Sequence, residues 1–165
     1  MAKRICIIGR PGSGKSTFAI KLAKKTGLPL VHLDQLWWNE NWVQSTKEEF
    51  DLKLDEALEK EEWIMDGNFS RTLKKRCEKA EILYAYDLPR IESLYGYIKR
   101  AILNWGKSRV DMPKNCVEKI DLEFMKFIWD YKLDDLKSLK KEFPHLEIVV
   151  MKSHEEAERI LKSIK

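Results

Sequence analysis

Arg4-Ile5-Cys6-Ile7-Ile8-Gly9-Arg10-Pro11-Gly12-Ser13-Gly14-Lys15-Ser16 is the stretch on which the fold turns. Its second half spells G-x-x-x-x-G-K-[ST], a loop whose inward-pointing amides cradle phosphate oxygens. Such a loop converges on an anion only when it leaves a buried strand and runs into a helix. Both flanks are present. Residues 4–8 form a short apolar run rich in isoleucine, suited to a central strand covered on both faces. Downstream, Phe18, Ala19, Leu22 and Ala23 recur at helical spacing, and Gly27 and Pro29 supply stop signals. The glycines let the backbone curl, and the helix turns its positive end toward the phosphates. Gly9, Pro11, Gly12, Ser13, Gly14, Lys15, Ser16 and Thr17 are therefore the nucleotide-binding candidates. Lys15 is expected to reach the β- and γ-phosphates of ATP, and Ser16 to offer its hydroxyl to Mg²⁺.

The bulk properties agree with a soluble nucleotide-binding domain. A chain of 165 residues is read as one domain over 1–165, large enough to bury a core without staples. It is 44% hydrophobic and 35% charged, and no apolar run reaches membrane length. The start lacks the apolar stretch and small-residue cleavage site of a secretory leader, so a cytoplasmic location is expected. Cys6, Cys77 and Cys116 are odd in number and far apart, which suggests reduced packing residues rather than a disulfide framework or a zinc site. A net charge of +4 suits anionic small ligands without requiring a polyanion.

Beyond the first helix, residues 28–33 read as a second strand that delivers Asp34 at its carboxyl end, the edge where open α/β sheets bind ligands. Asp34 is a candidate to contact an acceptor, as a base for its hydroxyl or through the water shell of the metal. The alternative is an N-cap for the turn that follows. His32 reads as a packed or satisfied side chain. Trp37, Trp38 and Trp42 bring half of the six tryptophans into one short stretch. Trp37 and Trp38 are substrate candidates, since such rings stack on a base or sugar, although packing over the sheet edge explains each equally well. Ser45-Thr46-Lys47-Glu48-Glu49 is a capping-box arrangement opening a helix with Phe50, Leu54, Ala57 and Leu58 as its apolar stripe.

Trp63-Ile64-Met65-Asp66-Gly67 is a third strand ending in an acid, and its brevity suits a central place beside the first. Asp66 would then lie near Ser16 and hold Mg²⁺ through water, or else cap a helix. Of the cations that follow, Arg71 is the candidate for an anion on the acceptor, because a guanidinium matches paired oxygens. Lys74, Lys75 and Lys79 read as a solvated face or a weak nucleic-acid patch. A fourth strand ends at Asp87-Leu88-Pro89, with Asp87 placed in a structural turn, and a helix carries Arg100 into the polar, glycine- and proline-broken segment 104–115. This segment is the expected lid, closing Arg100 and Arg109 over the γ-phosphate. Apolar spacing from Val117 to Phe143 gives one long helix, or two joined near Tyr131, and residues 146–151 form a fifth strand before a last helix. Strands alternating with helices imply a parallel sheet with helices on both faces, the α/β, three-layer arrangement of P-loop NTPases.

The loop, with Ile64-Met65-Asp66-Gly67 and an arginine soon after, resembles the adenylate kinase and shikimate kinase group of small phosphate-loop kinases. His32-Leu33-Asp34 followed by the tryptophans, Asp66-Gly67-Asn68-Phe69-Ser70-Arg71-Thr72, Asp87-Leu88-Pro89-Arg90 and Arg109-Val110-Asp111-Met112 with Cys116 are similar to the bacterial DNA topology modulation proteins, over nearly the whole chain. That resemblance implies five parallel strands in order 2-3-1-4-5, so that Asp34 and Asp66 both face the nucleotide. From the residues, the leading expectation is a Mg²⁺-dependent small-molecule kinase, with ATP in the loop, a small acceptor, nucleotide or other metabolite, near Asp34, the tryptophans and Arg71, and the lid arginines completing the site. Asp66-Gly67-Asn68 departs from the Asp-Gly-Phe-Pro-Arg pattern of adenylate kinases, and their expanded nucleotide-binding and lid segments are not recognisable, which argues against AMP. The alternative reading is an ATP-binding or slowly hydrolysing regulator of DNA topology that acts through DNA or a protein partner. No residue pattern signals an oligomeric state.

Overall fold

The computed structural model describes residues 2–108 and 111–164. Five strands, β1 (Arg4–Gly9), β2 (Leu30–His32), β3 (Trp63–Asp66), β4 (Ile82–Tyr86) and β5 (Glu147–Met151), form one parallel sheet in the order β2-β3-β1-β4-β5. This is the arrangement expected of a phosphate-loop α/β fold. Helices α1 (Lys15–Thr26), α2 (Leu33–Trp37), α3 (Lys47–Leu58), α4 (Ser70–Lys79), α5 (Arg90–Leu103), α6 (Leu122–Asp130), α7 (Leu136–Glu142) and α8 (His154–Ser163) fill the connections. None of these helices is long and apolar enough to cross a membrane, among the described residues.

Alternation along the central strand builds the two interior layers. Cys6 and Ile8 of β1 face a core with Phe50 and Leu54 of α3 and Leu73 and Cys77 of α4. Ile5 and Ile7 face the other way, onto Phe18, Ala19 and Leu22 of α1 and Ala157 and Leu161 of α8. Successive side chains of a strand point to opposite faces, so a run apolar at every position must be covered twice. The expected capping box opens α3 with Thr46, rather than Ser45, as its cap: the Thr46 hydroxyl accepts from the Glu49 amide at 3.1 Å and Glu49 accepts from the Thr46 amide at 2.9 Å.

Register then sets the ligand edge. Ile7 pairs with Asp66 across β1 and β3, and Asp66 with His32 across β3 and β2, so the strand ends meet beside the loop that leaves β1. A smaller apolar cluster of Tyr97, Ala101 and Ile128 joins α5 to α6. The apolar run from Val117 to Phe143 resolves as two helices, α6 and α7, each opened by an aspartate: Asp121 accepts from the amides of Glu123 and Phe124, and Asp135 from those of Lys137 and Ser138.

Candidate active site

The loop between β1 and α1 ends in Gly14, which adopts a left-handed conformation (φ 89°) as the N-cap of α1. No side chain caps this helix and no acid lies in its first turn, so its amides and positive end remain directed at the space above the loop. The loop is held from behind. The Gly9 amide donates to Asn68 Oδ1 at 2.9 Å, and Asn68 belongs to the segment leaving β3. That segment is fixed in turn by Arg76, fully buried, whose guanidinium donates to the carbonyls of Gly67 (3.0 Å), Asn68 and Phe69 (3.3 Å). Arg10, inside the loop, donates to the Ile128 carbonyl at 2.6 Å and lies over the Tyr131 ring, which ties the loop to the end of α6.

A cavity of about 680 Å³ opens over the loop, large enough for a nucleotide. Gly12, Gly14, Lys15, Ser16, Thr17 and Arg100 line it, together with Lys99 and His154. Gly9, Pro11 and Ser13 lie buried beneath it and shape the loop. The Ser13 hydroxyl, fully buried, has no hydrogen-bond partner among the described residues.

Asp66 is 4% exposed. Burial alone would raise its pKa, but a hydrogen bond from His32, the charge of Lys15 and the nearby Ser16 hydroxyl outweigh that and hold the carboxyl below its usual range. With Asp66 ionised, His32 Nδ1–H donates to Oδ2 at 2.9 Å, while Oδ1 is buried with no hydrogen-bond partner. An orphaned carboxylate oxygen beside Ser16 and Lys15 fits a Mg²⁺ held through phosphates, a hydroxyl and water. No cluster of three or more His, Cys, Asp or Glu side chains poised for a metal occurs among the described residues, and a phosphate-borne Mg²⁺ requires none.

A second cavity of about 640 Å³ adjoins the first, and Arg100 lines both. Asp34 and Trp38 line this second space, facing Phe124 and Phe127 of α6. Asp34 lies in the first turn of α2, whose N-cap is His32, so it is neither the strand-end residue nor the cap that its position in the sequence suggested. Segment 104–115 contributes to both spaces, with Asn104 and Asp111 lining the first and Met112 the second. It leads to a return stretch that folds back on it, the Glu118 amide donating to the Lys107 carbonyl at 3.0 Å and Ser108 bridging Val117. Arg109 lies outside the described residues.

Two expected substrate residues are placed elsewhere. Trp37 packs into the core, edge-on to Phe50 at 5.7 Å and beside Phe69, because its place at the end of α2 points it under the sheet edge. Arg71, on the exposed face of α4, donates to both oxygens of Asp51 at 2.8 and 2.6 Å and lines neither cavity. Lys74, Lys75 and Lys79 are ion-paired with Glu142, Asp55 and Glu59, so carboxylates interleave the basic run that had suggested a nucleic-acid patch. His32, Asn68 and Arg76 are the supporting residues that the sequence reading did not assign to the site. Asn68 alone carried a visible signal, a polar amide directly after the Asp66-Gly67 strand end.

No family model matches the chain. An adenylate kinase of Thermotoga neapolitana is 31% identical over 91 residues, which span 52% of this chain and 40% of that protein. An adenylate kinase of Thermotoga petrophila is 29% identical over 112 residues, 65% of this chain and 49% of that one. The chain therefore spans less than half the length of these relatives. Among solved structures, a gluconokinase from Sinorhizobium meliloti 1021 superposes with a TM-score of 0.56 at 14% identity, covering 97% of this chain and 87% of that one. Shikimate kinase from Acinetobacter baumannii, solved with shikimate, gives 0.53 at 15% identity, covering 99% and 96%. The fold is that of small P-loop kinases.

Proposed function

We propose that this chain is a Mg²⁺-dependent kinase that transfers the γ-phosphoryl group of ATP to a hydroxyl of a small acceptor. The observation that carries the reading is the meeting of two cavities at Arg100, one floored by the phosphate loop and the other lined by Asp34 and Trp38. Sequence likeness to adenylate kinases over half the chain supports the reading.

In this mechanism the amides of the loop and of the first turn of α1 grip the β- and γ-phosphates, and Lys15 places a point charge on them. Ser16 and Asp66 would hold Mg²⁺, which would supply charge neutralisation on the phosphate oxygens. Asp34 orients the acceptor hydroxyl and takes its proton. Arg100, with Arg109 from the 104–115 lid, neutralises charge that develops on the transferring group. A single domain over 1–165 carries the whole site, in a cytoplasmic setting where ATP is abundant.

The test is Mg-ATP turnover by purified protein across hydroxylated small molecules, with Lys15→Ala as control. One acceptor should raise ADP release well above the water rate and yield a phosphorylated product by mass spectrometry. Lys15→Ala should lower that turnover by at least about a hundredfold, in the range of a lost transition-state charge contact. Unchanged acceptor phosphorylation in Lys15→Ala, or ADP release indifferent to every acceptor, would refute the kinase reading.

A further inference from the structure

We infer that the acceptor is a hydroxylated compound with a planar or apolar face and no anionic group, such as a nucleoside or an amino sugar, rather than a phosphate- or carboxylate-bearing one. The inference rests on the kinase reading for the identity of the second cavity, and on that cavity's own chemistry for the class of molecule.

The charges come first. The described lining carries four carboxylates, Asp34, Glu118, Asp121 and Glu123, against two cations, Arg100 and Lys119. Part of the guanidinium charge is offset where it stands: Arg100 Nε lies 3.2 Å from Glu118 Oε1, a carboxylate only 5% exposed as a residue. Lys119 and Glu123 are both exposed and offset one another at the rim, which leaves Asp34, Glu118 and Asp121 against Arg100 in the less exposed lining. Arg71, the guanidinium expected to receive an acceptor anion, is paired with Asp51 away from the cavity. An anionic acceptor entering this space would be desolvated beside excess negative charge, which low dielectric makes costly.

The walls supply the rest. Trp38 and Trp42 meet edge-to-face at 5.3 Å on one side, and Phe124 and Phe127 lie 5.9 Å apart on the other. Aromatic faces accept a flat base or the apolar face of a sugar, and they attract a cation if the acceptor bears one. Carboxylates beside such walls accept hydrogen bonds from hydroxyl and amino groups. Transfer forms a bond from an acceptor hydroxyl oxygen to the γ-phosphorus and breaks the bond from that phosphorus to the β,γ-bridging oxygen. ADP leaves with the electron pair, and the hydroxyl proton passes to the Asp34 carboxylate.

The experiment measures binding and turnover separately on the full chain. With the nucleotide cavity saturated by Mg²⁺ and a non-hydrolysable ATP analogue, adenosine is titrated against AMP, and glucosamine against gluconate, by calorimetry. The uncharged or cationic member of at least one pair should half-saturate at a concentration at least tenfold lower than its anionic counterpart. Glu123→Lys, at the exposed rim, should shrink that preference at least threefold at low salt. AMP or gluconate binding as well as or better than its counterpart, no member binding, or full discrimination in Glu123→Lys would overturn the inference. ADP release in the same mixtures with ATP separates the two readings. Turnover with AMP or gluconate preferred would keep the kinase and sink the acceptor class, whereas discriminating binding without ADP release would sink the kinase alone.

Discussion

At the scale of single residues, the arrangement that most needs explaining is Asp66. A carboxylate this buried keeps its charge because His32 donates to one oxygen while Lys15 lies near, and the other oxygen remains without a hydrogen-bond partner. His32 holds Oδ2 of that carboxylate and so fixes the side chain's orientation, which makes it the candidate positioning residue. Replacing it by alanine should cost about 1–3 kcal/mol of stability, the penalty for leaving a buried acceptor unsatisfied. It should also raise the Mg²⁺ concentration needed for half-maximal ATP turnover several-fold, with His32→Gln restoring part of the loss. A stability loss alone, with the Mg²⁺ requirement unmoved, would make His32 purely structural. The sequence showed Asp66 at a strand end, because a short apolar run closed by an acid is a local pattern. It could not show the partner: His32 lies 34 positions away and meets Asp66 only through the β2–β3 register. Arg71 illustrates the converse, since proximity in sequence to the strand end suggested the site and the helix rotation sent it to Asp51.

Among the elements, α5 bears on the loop most directly. The sequence placed a helix here, carrying Arg100, but did not say which of its faces is buried. Ile91 and Tyr95 are 72% and 65% exposed, while Ser93, Gly96 and Tyr97 turn toward the loop. The reason is a close backbone approach. A Cβ on Gly96 would lie 2.3 Å from the Gly12 carbonyl oxygen, and one on Gly12 would lie 2.1 Å from the Ser93 carbonyl oxygen. Only two glycines let helix and loop touch this way. In an exposed helix interior, glycine to alanine stabilises by roughly 1 kcal/mol through propensity. Gly96→Ala should do the opposite here, because the obstacle is backbone that cannot swing aside. We expect a lower melting temperature, an α5 still helical by circular dichroism, and an affinity for ATP at least tenfold weaker by calorimetry. A higher melting temperature with unchanged ATP affinity would show that loop and helix do not press on each other. The same logic explains why segment 104–115 was only partly legible, since glycine and proline mark its breaks without saying that a return stretch near Glu118 pairs with it.

For the whole molecule, the two-layered interior predicts how stability responds to alkali. Cys6 sits on the central strand and Cys77 on α4, both in the layer facing α3 and α4, and both are free thiols. Burial pushes the Cys6 thiol up to about 11 and the Cys77 thiol up to about 12, against an opposing effect from Arg76. The folded protein therefore binds these protons more tightly than the unfolded chain, whose thiols titrate at the ordinary value of roughly 8.5. The resulting stabilisation is complete below that value and is lost as pH rises toward the folded values. Each thiol can contribute a slope of up to about 1.4 kcal/mol per pH unit across the interval. Urea unfolding at pH 7.5 and pH 10 should therefore show a lower unfolding free energy at the higher pH, and Cys77→Ala, whatever its effect at pH 7.5, should flatten the decline. A thiol reagent at pH 8 should spare both cysteines in the native protein and modify them once it is unfolded. Rapid native labelling of Cys6 or Cys77 would mean that this layer opens without global unfolding. A pH dependence unchanged by Cys77→Ala would remove that thiol as a cause of the decline. The sequence reading of the three cysteines as reduced packing residues follows from their spacing, but the meeting of Cys6 and Cys77 in one layer emerges only when alternation along β1 and the rotation of α4 are combined.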